Sequence, residues 1–224
     1  RAGASVVVHY SSTSTGAKEV VDEITDMGGR ATAIRADLAH IEEIDGLAKA
    51  SVEFLGGCDV LVNNAGITLT RKFEDTTPED YDNIYHVNLR AMFFMVQRLL
   101  PELEKDGGGR VINITSIHAY SGMPEHSVYA GTKGAIVAFT RVLSLELAQK
   151  GVRVNAIAPG TTMTEATKRV IPEKAEQRKR LTKALGVSLE PTDLTGTAVF
   201  LASDDSAMMT GQTLVVDAGG IMLS

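Results

Sequence analysis

The 224 residues suffice for one large domain, and 44% of them are hydrophobic, enough to bury a sizeable core. A formal net charge of −6, with acids and bases dispersed, argues against nucleic acid or an anionic membrane as a general partner, and no run of about 18 apolar residues offers a membrane span. The single cysteine, Cys58, excludes an internal disulfide framework and suits a reducing, cytoplasmic setting.

Residues 4–8 form a short β-branched apolar run that predicts a buried strand, followed by a polar loop over 11–15 that Gly16 ends. Residues 17–28 place Val20, Val21, Ile24 and Met27 at helical spacing before the Gly28-Gly29 stop. A second strand is predicted over 31–36, a helix over Ile41–Leu55 and a third strand over 59–62. Residues 78–104 read as helical with an interruption near 86–88, and strand 110–115 follows the turn at Gly107-Gly108-Gly109. A helix over 127–149, a strand over 152–158, a charged helical stretch over 163–186, a short helix over 194–202 and a last strand over Thr213–Val216 complete the chain. Strands that alternate with helices, and that read as continuous apolar runs, predict a doubly wound parallel sheet with helices on both faces, as one domain over residues 1–224.

In such sheets ligands bind beyond the carboxyl ends of the strands. Asp37, Asn63-Asn64-Ala65-Gly66, Ser116 and Pro159-Gly160 all follow strands at that rim. Tyr129 and Lys133 stand four residues apart on the helix over 127–149, hence on one face. A phenol ordinarily holds its proton to about pH 10, and a neighbouring ammonium is expected to stabilise the phenolate and lower that value. The pair therefore has the chemistry to pass a proton to or from a carbonyl oxygen, and Ser116, thirteen residues before Tyr129, adds a hydroxyl at a strand end.

Asn64-Ala65-Gly66 after a strand, Asn88 in a helix, Ser116, Tyr129-x-x-x-Lys133, Pro159-Gly160 and the closing Gly211-Gln212-Thr213-Leu214-Val215-Val216-Asp217 together resemble the short-chain dehydrogenase/reductase family. The resemblance implies a Rossmann-type sheet of seven strands and an NAD(P)(H)-dependent exchange of carbonyl and alcohol. Tyr129 would be the general acid, Lys133 its electrostatic partner and a ligand of the nicotinamide ribose, and Ser116 a donor to the substrate oxygen. Asn88 would hold a water that links Lys133 to solvent. The cofactor would lie along His9, Tyr10, Ser11, Asp37, Leu38, Asn64, Ala65, Gly66, Tyr129, Lys133, Pro159, Gly160, Thr162 and Thr164, with Asp37 on the adenine amino group and Thr162 and Thr164 on the carboxamide. Asn63 is expected to brace the sheet instead. No metal is implied.

Where an NAD-preferring relative would carry an acid, after the first strand, this chain has Ser11 and Ser12, so NADP(H) is expected over NAD(H). The family's Thr-Gly-x-x-x-Gly-x-Gly turn, which holds the pyrophosphate on a helix N-terminus, has no match here. The strand before it would sit centrally, so roughly 25–30 further residues are expected ahead of Arg1. Substrate contacts are expected from Ser116, Tyr129 and His118, with residues 161–190 as a covering segment. Lys168, Arg169, Lys174, Arg178, Lys179, Arg180 and Lys183 make that segment basic, as a solvated face or a dock for an acidic carrier protein. Reduction of 3-oxoacyl thioesters is the leading expectation. A sugar or polyol dehydrogenase and, in another class, a non-catalytic cofactor-binding or regulatory protein are the alternatives. Met92, Phe93, Phe94, Val96, Ile136, Phe139 and Leu143 give two helices apolar faces wider than one core contact needs, which predicts a homotetramer.

Overall fold

The computed structural model describes residues 3–170 and 183–223. Six strands are present among them: β1 (Val6–Tyr10), β2 (Ala31–Arg35), β3 (Val60–Asn63), β4 (Arg110–Ile114), β5 (Arg153–Pro159) and β6 (Thr213–Val216). Seven α-helices join or follow them: α1 (Thr15–Asp26), α2 (Ile41–Leu55), α3 (Pro78–Tyr85), α4 (Ala91–Leu103), α5 (Ser127–Glu146), α6 (Glu165–Val170) and α7 (Thr195–Ala202). All strand pairs are parallel, as strands linked by helical crossovers must be.

The described strands form two sheets, β1-β2 and β3-β4-β5-β6, rather than one continuous sheet. β1 and β3 do not pair with each other, and Val60 and Val62 on β3 are 36% and 47% exposed in consequence. The four-stranded sheet buries both faces. Val111 and Val154, paired in register, turn to a core with Leu99 and Leu103 of α4 and Ile44, Leu47 and Ala48 of α2. Ile112 and Ile157 turn the other way, onto Leu201 of α7. Alternate residues point to opposite faces, so strands of this kind must be apolar throughout.

Local signals set the boundaries, and some differ from expectation. β1 runs two residues further than the apolar run, because its ladder to β2 extends to Tyr10↔Arg35 and His9 Nε2 bonds the Ala36 carbonyl oxygen at 2.8 Å. α1 begins at Thr15 and passes through Gly16, which therefore does not end a loop. α3 starts on a capping box, with Thr77 and Asp80 exchanging side chain-to-backbone bonds and Pro78 in the first turn. Gly108 has φ +97°, and a Cβ there would lie 2.1 Å from the Gly151 carbonyl oxygen, so only glycine closes the turn into β4.

The apolar helix faces also need correction. Met92, Val96 and Ile136 are buried, Val96 in the cluster that includes Ile44, Leu47 and Ala48 of α2. The apolar surface left outside consists of Phe93, Val142 and Leu145, with half-buried Phe139 touching Phe93 at 5.7 Å between ring centres. Within the proposed covering segment, residues 171–182 lie outside the described residues, and with them Lys174, Arg178, Lys179 and Arg180. No helix among the described residues is long and apolar enough to cross a membrane.

Candidate active site

β4 delivers Ser116 two residues past its last paired residue. The Ser116 side chain caps a 3-10 turn, Ile117–Ala119, and its Oγ accepts from the His118 backbone N–H at 3.2 Å. The chain then returns as α5, which carries Tyr129 and Lys133 over the strand end. Thr115 fixes the depth of that helix: its hydroxyl donates to the Lys133 carbonyl at 2.7 Å. Thr115 and Thr132 are fully buried parts of this arrangement that spacing alone did not single out.

The Ser116 hydroxyl stands near enough to the Tyr129 phenol to favour its phenolate form. Lys133 is 5% exposed, its Nζ donates to the Ile114 carbonyl at 3.0 Å, and it sits 5.6 Å from the centre of the Tyr129 ring. Burial lowers its pKa from the ordinary 10.5 to about 8. Burial also raises the Tyr129 phenol above its ordinary 10, and the nearby Ser116 hydroxyl opposes that rise. This corrects the expectation of a lowered phenol. Removing the charged form of either group from water costs more than the weak attraction between an ammonium and a phenol recovers. The pair therefore holds an acid that keeps its proton beside an amine that titrates near neutrality.

Asn88 lies in a π-helical turn, His86–Arg90, between α3 and α4. Its Oδ1 accepts from the Ile67 N–H at 2.8 Å, and its Nδ2 donates to the Ile67 carbonyl at 2.9 Å and to Thr132 Oγ1 at 3.2 Å. Thr132 in turn donates to the Tyr129 carbonyl at 2.7 Å. Asn88 thus ties the loop after β3 to the helix that carries Tyr129. Gly66 passes through this gap: a Cβ there would lie 3.3 Å from Asn88 Oδ1 and 3.6 Å from Lys133 Nζ. Asn63 braces the sheet as expected, donating to Asn113 Oδ1 at 2.9 Å, and Asn113 donates on to Thr140 at 3.0 Å.

From Gly66 a cavity of about 580 Å³ opens toward β1 and β2, lined by His9, Tyr10, Ser11, Asp37, Leu38, Ala65 and Gly66, all expected there, together with Ser12, Arg35, Ile67, Asn83 and Val87. Arg35 was not singled out beforehand. It ends β2 opposite Tyr10, and its guanidinium bonds Glu43 at 3.5 Å, whose Oε2 also accepts from the Asp37 N–H at 2.7 Å. Asp37 Oδ1 accepts from the Ala39 N–H at 2.9 Å, a local turn contact. Asn64, Pro159, Gly160, Thr162 and Thr164 do not line this cavity. Pro159 pairs with Val216 across the sheet, and Gly160 must be glycine, since a Cβ would stand 2.8 Å from that of Asp217. Thr162 bonds the Gly160 carbonyl at 3.1 Å, and the Thr164 hydroxyl accepts from the Thr167 N–H at 3.1 Å at the start of α6.

The cavity ends at Gly66, whose backbone passes close to Asn88 and to the Lys133 amine. Among the described residues no metal-binding cluster of histidine, cysteine or carboxylate is found.

Residues 1–220 match the protein family described as Enoyl-(Acyl carrier protein) reductase. A 3-oxoacyl-[acyl-carrier-protein] reductase of Synechocystis sp. is 38% identical over 221 residues, covering 98% of this chain and 88% of that protein. Among solved structures, a 7α-hydroxysteroid dehydrogenase complexed with NADH and 7-oxo glycochenodeoxycholic acid superposes with a TM-score of 0.93 at 37% identity, covering 99% of this chain and 87% of the other. A blue fluorescent protein from a metagenomic library, in complex with NADPH, gives a TM-score of 0.90 at 33% identity, with 97% and 88% covered.

Proposed function

This chain belongs to the short-chain dehydrogenase/reductase family, and from that premise we propose that it reduces 3-oxoacyl thioesters to 3-hydroxyacyl thioesters, with NADP(H) preferred, through Ser116, Tyr129 and Lys133. The observation that carries this reading is the buried Lys133 amine, bonded to the Ile114 carbonyl and 5.6 Å from the centre of the Tyr129 ring, with the Ser116 hydroxyl placed to favour the phenolate.

A bound nicotinamide supplies the hydride for reduction and accepts it for oxidation. Ser116 donates to the substrate oxygen while its Oγ accepts from the His118 N–H. Tyr129 donates the proton that the oxygen gains, and a phenol kept protonated by burial suits that role. Lys133 answers the charge left on the phenol. Two donors fixed by backbone contacts, aimed at one oxygen in a dry site, supply orientation and charge stabilisation together. Asn88 acts by position, holding the Ile67 backbone and the Thr132 hydroxyl so that the loop after β3 keeps its distance from Tyr129.

Arg35 supports the cofactor preference. Among the lining residues it is the permanent cation, and it shares the cavity with Ser11 and Ser12, so a ribose phosphate meets a guanidinium and two hydroxyls. Phe93, Val142 and Leu145 support a homo-oligomer built on α4 and α5, because that stripe leaves apolar surface in water.

The test is turnover of acetoacetyl thioesters, simple ketones and sugars with NADPH and with NADH. Thioester reduction with NADPH as the larger kcat/KM is expected, and Tyr129→Phe is expected to abolish turnover with cofactor binding retained. Substantial activity in that variant would refute the assignment of the acid. A larger kcat/KM on sugars would move the substrate class and leave the site intact.

A further inference from the structure

Tyr129 is held from both sides along α5. One turn after it, Thr132 donates to the Tyr129 carbonyl and accepts from Asn88 Nδ2, and Asn88 also binds both backbone groups of Ile67. One turn before it stands His126, the residue that precedes α5. That position favours Ser, Thr, Asp or Asn, whose side chains cap their own helix. His126 makes no such bond. Its buried ring bonds to the loops around it instead.

The partners place the ring's hydrogens. The Pro124 carbonyl, 2.9 Å from Nδ1, only accepts, so Nδ1 carries a proton. Nε2 of the neutral ring is then the acceptor, and the Thr70 hydroxyl donates to it at 3.3 Å. Thr70 lies on the loop after β3, four residues past Gly66. Beside this bond the Arg71 N–H donates to the Glu125 carbonyl at 2.9 Å. Glu125 has φ +66°, a left-handed conformation uncommon for a residue with a side chain. Such a conformation persists where its surroundings over-determine it, and here they are these bonds between two loops. The His126 carbonyl accepts from the Ala130 N–H at 2.8 Å, closing the turn that contains Tyr129. The rings meet as well: His126 and Tyr129 stand edge to face, 6.3 Å between centres and inclined at 83°, and the His118 ring lies 5.7 Å and 6.0 Å from them.

We infer that His126 is a positioning residue for proton transfer from Tyr129. Its Nε2 bond to Thr70 joins the loop after β3 to the first turn of α5. With the Asn88–Thr132 bond one turn beyond Tyr129, it keeps the phenol in a fixed place relative to the loop that carries Gly66. This rests on the assignment of Tyr129 as the acid made above, and it names a residue on which the acid's position depends.

Asparagine and glutamine divide the two ring bonds. His126→Asn puts an amide nitrogen where Nδ1 stands and gives up Thr70, whereas His126→Gln reaches the place of Nε2 and keeps Thr70. The measurement is the single-turnover rate of NADPH oxidation with the best substrate of the turnover test above, together with the melting temperature. His126→Asn is expected to lower the rate about tenfold, as the loss of one hydrogen bond, with KM for NADPH unchanged. His126→Gln is expected to recover most of that loss. Thr70→Val is expected to reproduce the His126→Asn loss, and the double variant to lose no more than either alone. Thr70 is exposed, so Thr70→Val carries the test if the His126 variants do not fold. Equal rates in His126→Asn and His126→Gln overturn the inference. So do additive losses in the double variant, or a lower melting temperature with the rate unmoved, which would leave His126 a structural brace alone. The two levels separate: activity in Tyr129→Phe sinks the site assignment, whereas an inactive Tyr129→Phe with an unmoved Thr70→Val rate sinks only the role of His126.

Discussion

The β4–α5 half of the rim and the β1–β2 half are built on opposite terms. Around β4 the polar groups are buried and bonded in chains: Asn63 to Asn113 to Thr140, Asn88 to Thr132 to the Tyr129 backbone, Thr115 to the Lys133 backbone. Around β1 and β2 the polar groups line an open cavity, and the Arg35–Glu43 contact is 3.5 Å long between side chains 58% and 36% exposed. The first half holds its groups through buried hydrogen bonds to fixed backbone and side-chain partners, as proton transfer demands. The second offers charge and hydroxyls to a ligand that brings its own shape.

That contrast can be broken at several strengths. Lys133→Met should cause the largest change, a loss of roughly 10²–10⁴-fold in turnover if the amine supports the acid as argued. Its stability should move the other way. The folded-state pKa is depressed from 10.5 to about 8, so the fold disfavours the charged amine, and that cost is carried in full below pH 8. Thermal unfolding at pH 7 should show Lys133→Met no less stable than wild type, with any gain shrinking as pH rises from 8 to 10.5. The same titration should appear in kinetics. Carbonyl reduction should hold steady below about pH 8 and fall above it as Lys133 loses its proton. A variant at Lys133 that keeps the same decline would assign it elsewhere.

Next in size comes Asn113→Ala, which leaves Asn63 on β3 and the buried Thr140 on α5 without their partner. It should cost about 1–3 kcal/mol in urea unfolding, the price of a buried partner left unsatisfied. Arg35→Gln tests the open half, raising KM for NADPH about tenfold with KM for NADH unchanged, by the loss of a charged hydrogen bond. Smallest is Glu43→Gln, where an exposed pair contributes no more than about 1 kcal/mol to stability. If Glu43→Gln destabilised the protein as much as Asn113→Ala, the contrast between the two halves would be wrong.

The same contrast explains what the sequence made legible. Tyr129, Lys133 and Ser116 stood out because their distances are set by one strand and one helix, and local spacing encodes them. Asn63 was assigned to the sheet correctly for the same reason. Arg35 was missed because a strand-end arginine acquires meaning only when β1 is laid beside β2 and brings Ser11 and Ser12 across. Thr115 and Thr132 escaped notice because each acts through a backbone carbonyl on α5. The raised Tyr129 pKa went against expectation because burial is a property of the whole fold, whereas the neighbouring charge is visible in a pentapeptide. Likewise Met92, Val96 and Ile136 looked like surface because helical periodicity reports an apolar face without naming what covers it.

The turn at His86–Arg90 has one more consequence. A π turn carries one residue more than the helix needs, and that surplus sets the rotational phase between α3 and α4. Deleting any one residue there would let a continuous α-helix form, at a gain in local regularity. It would also swing Asn88 by about 100° about the helix axis and free the Ile67 backbone. The irregularity works as a phase shifter, and the length of this helix pair is therefore as constrained as the identity of any side chain on it.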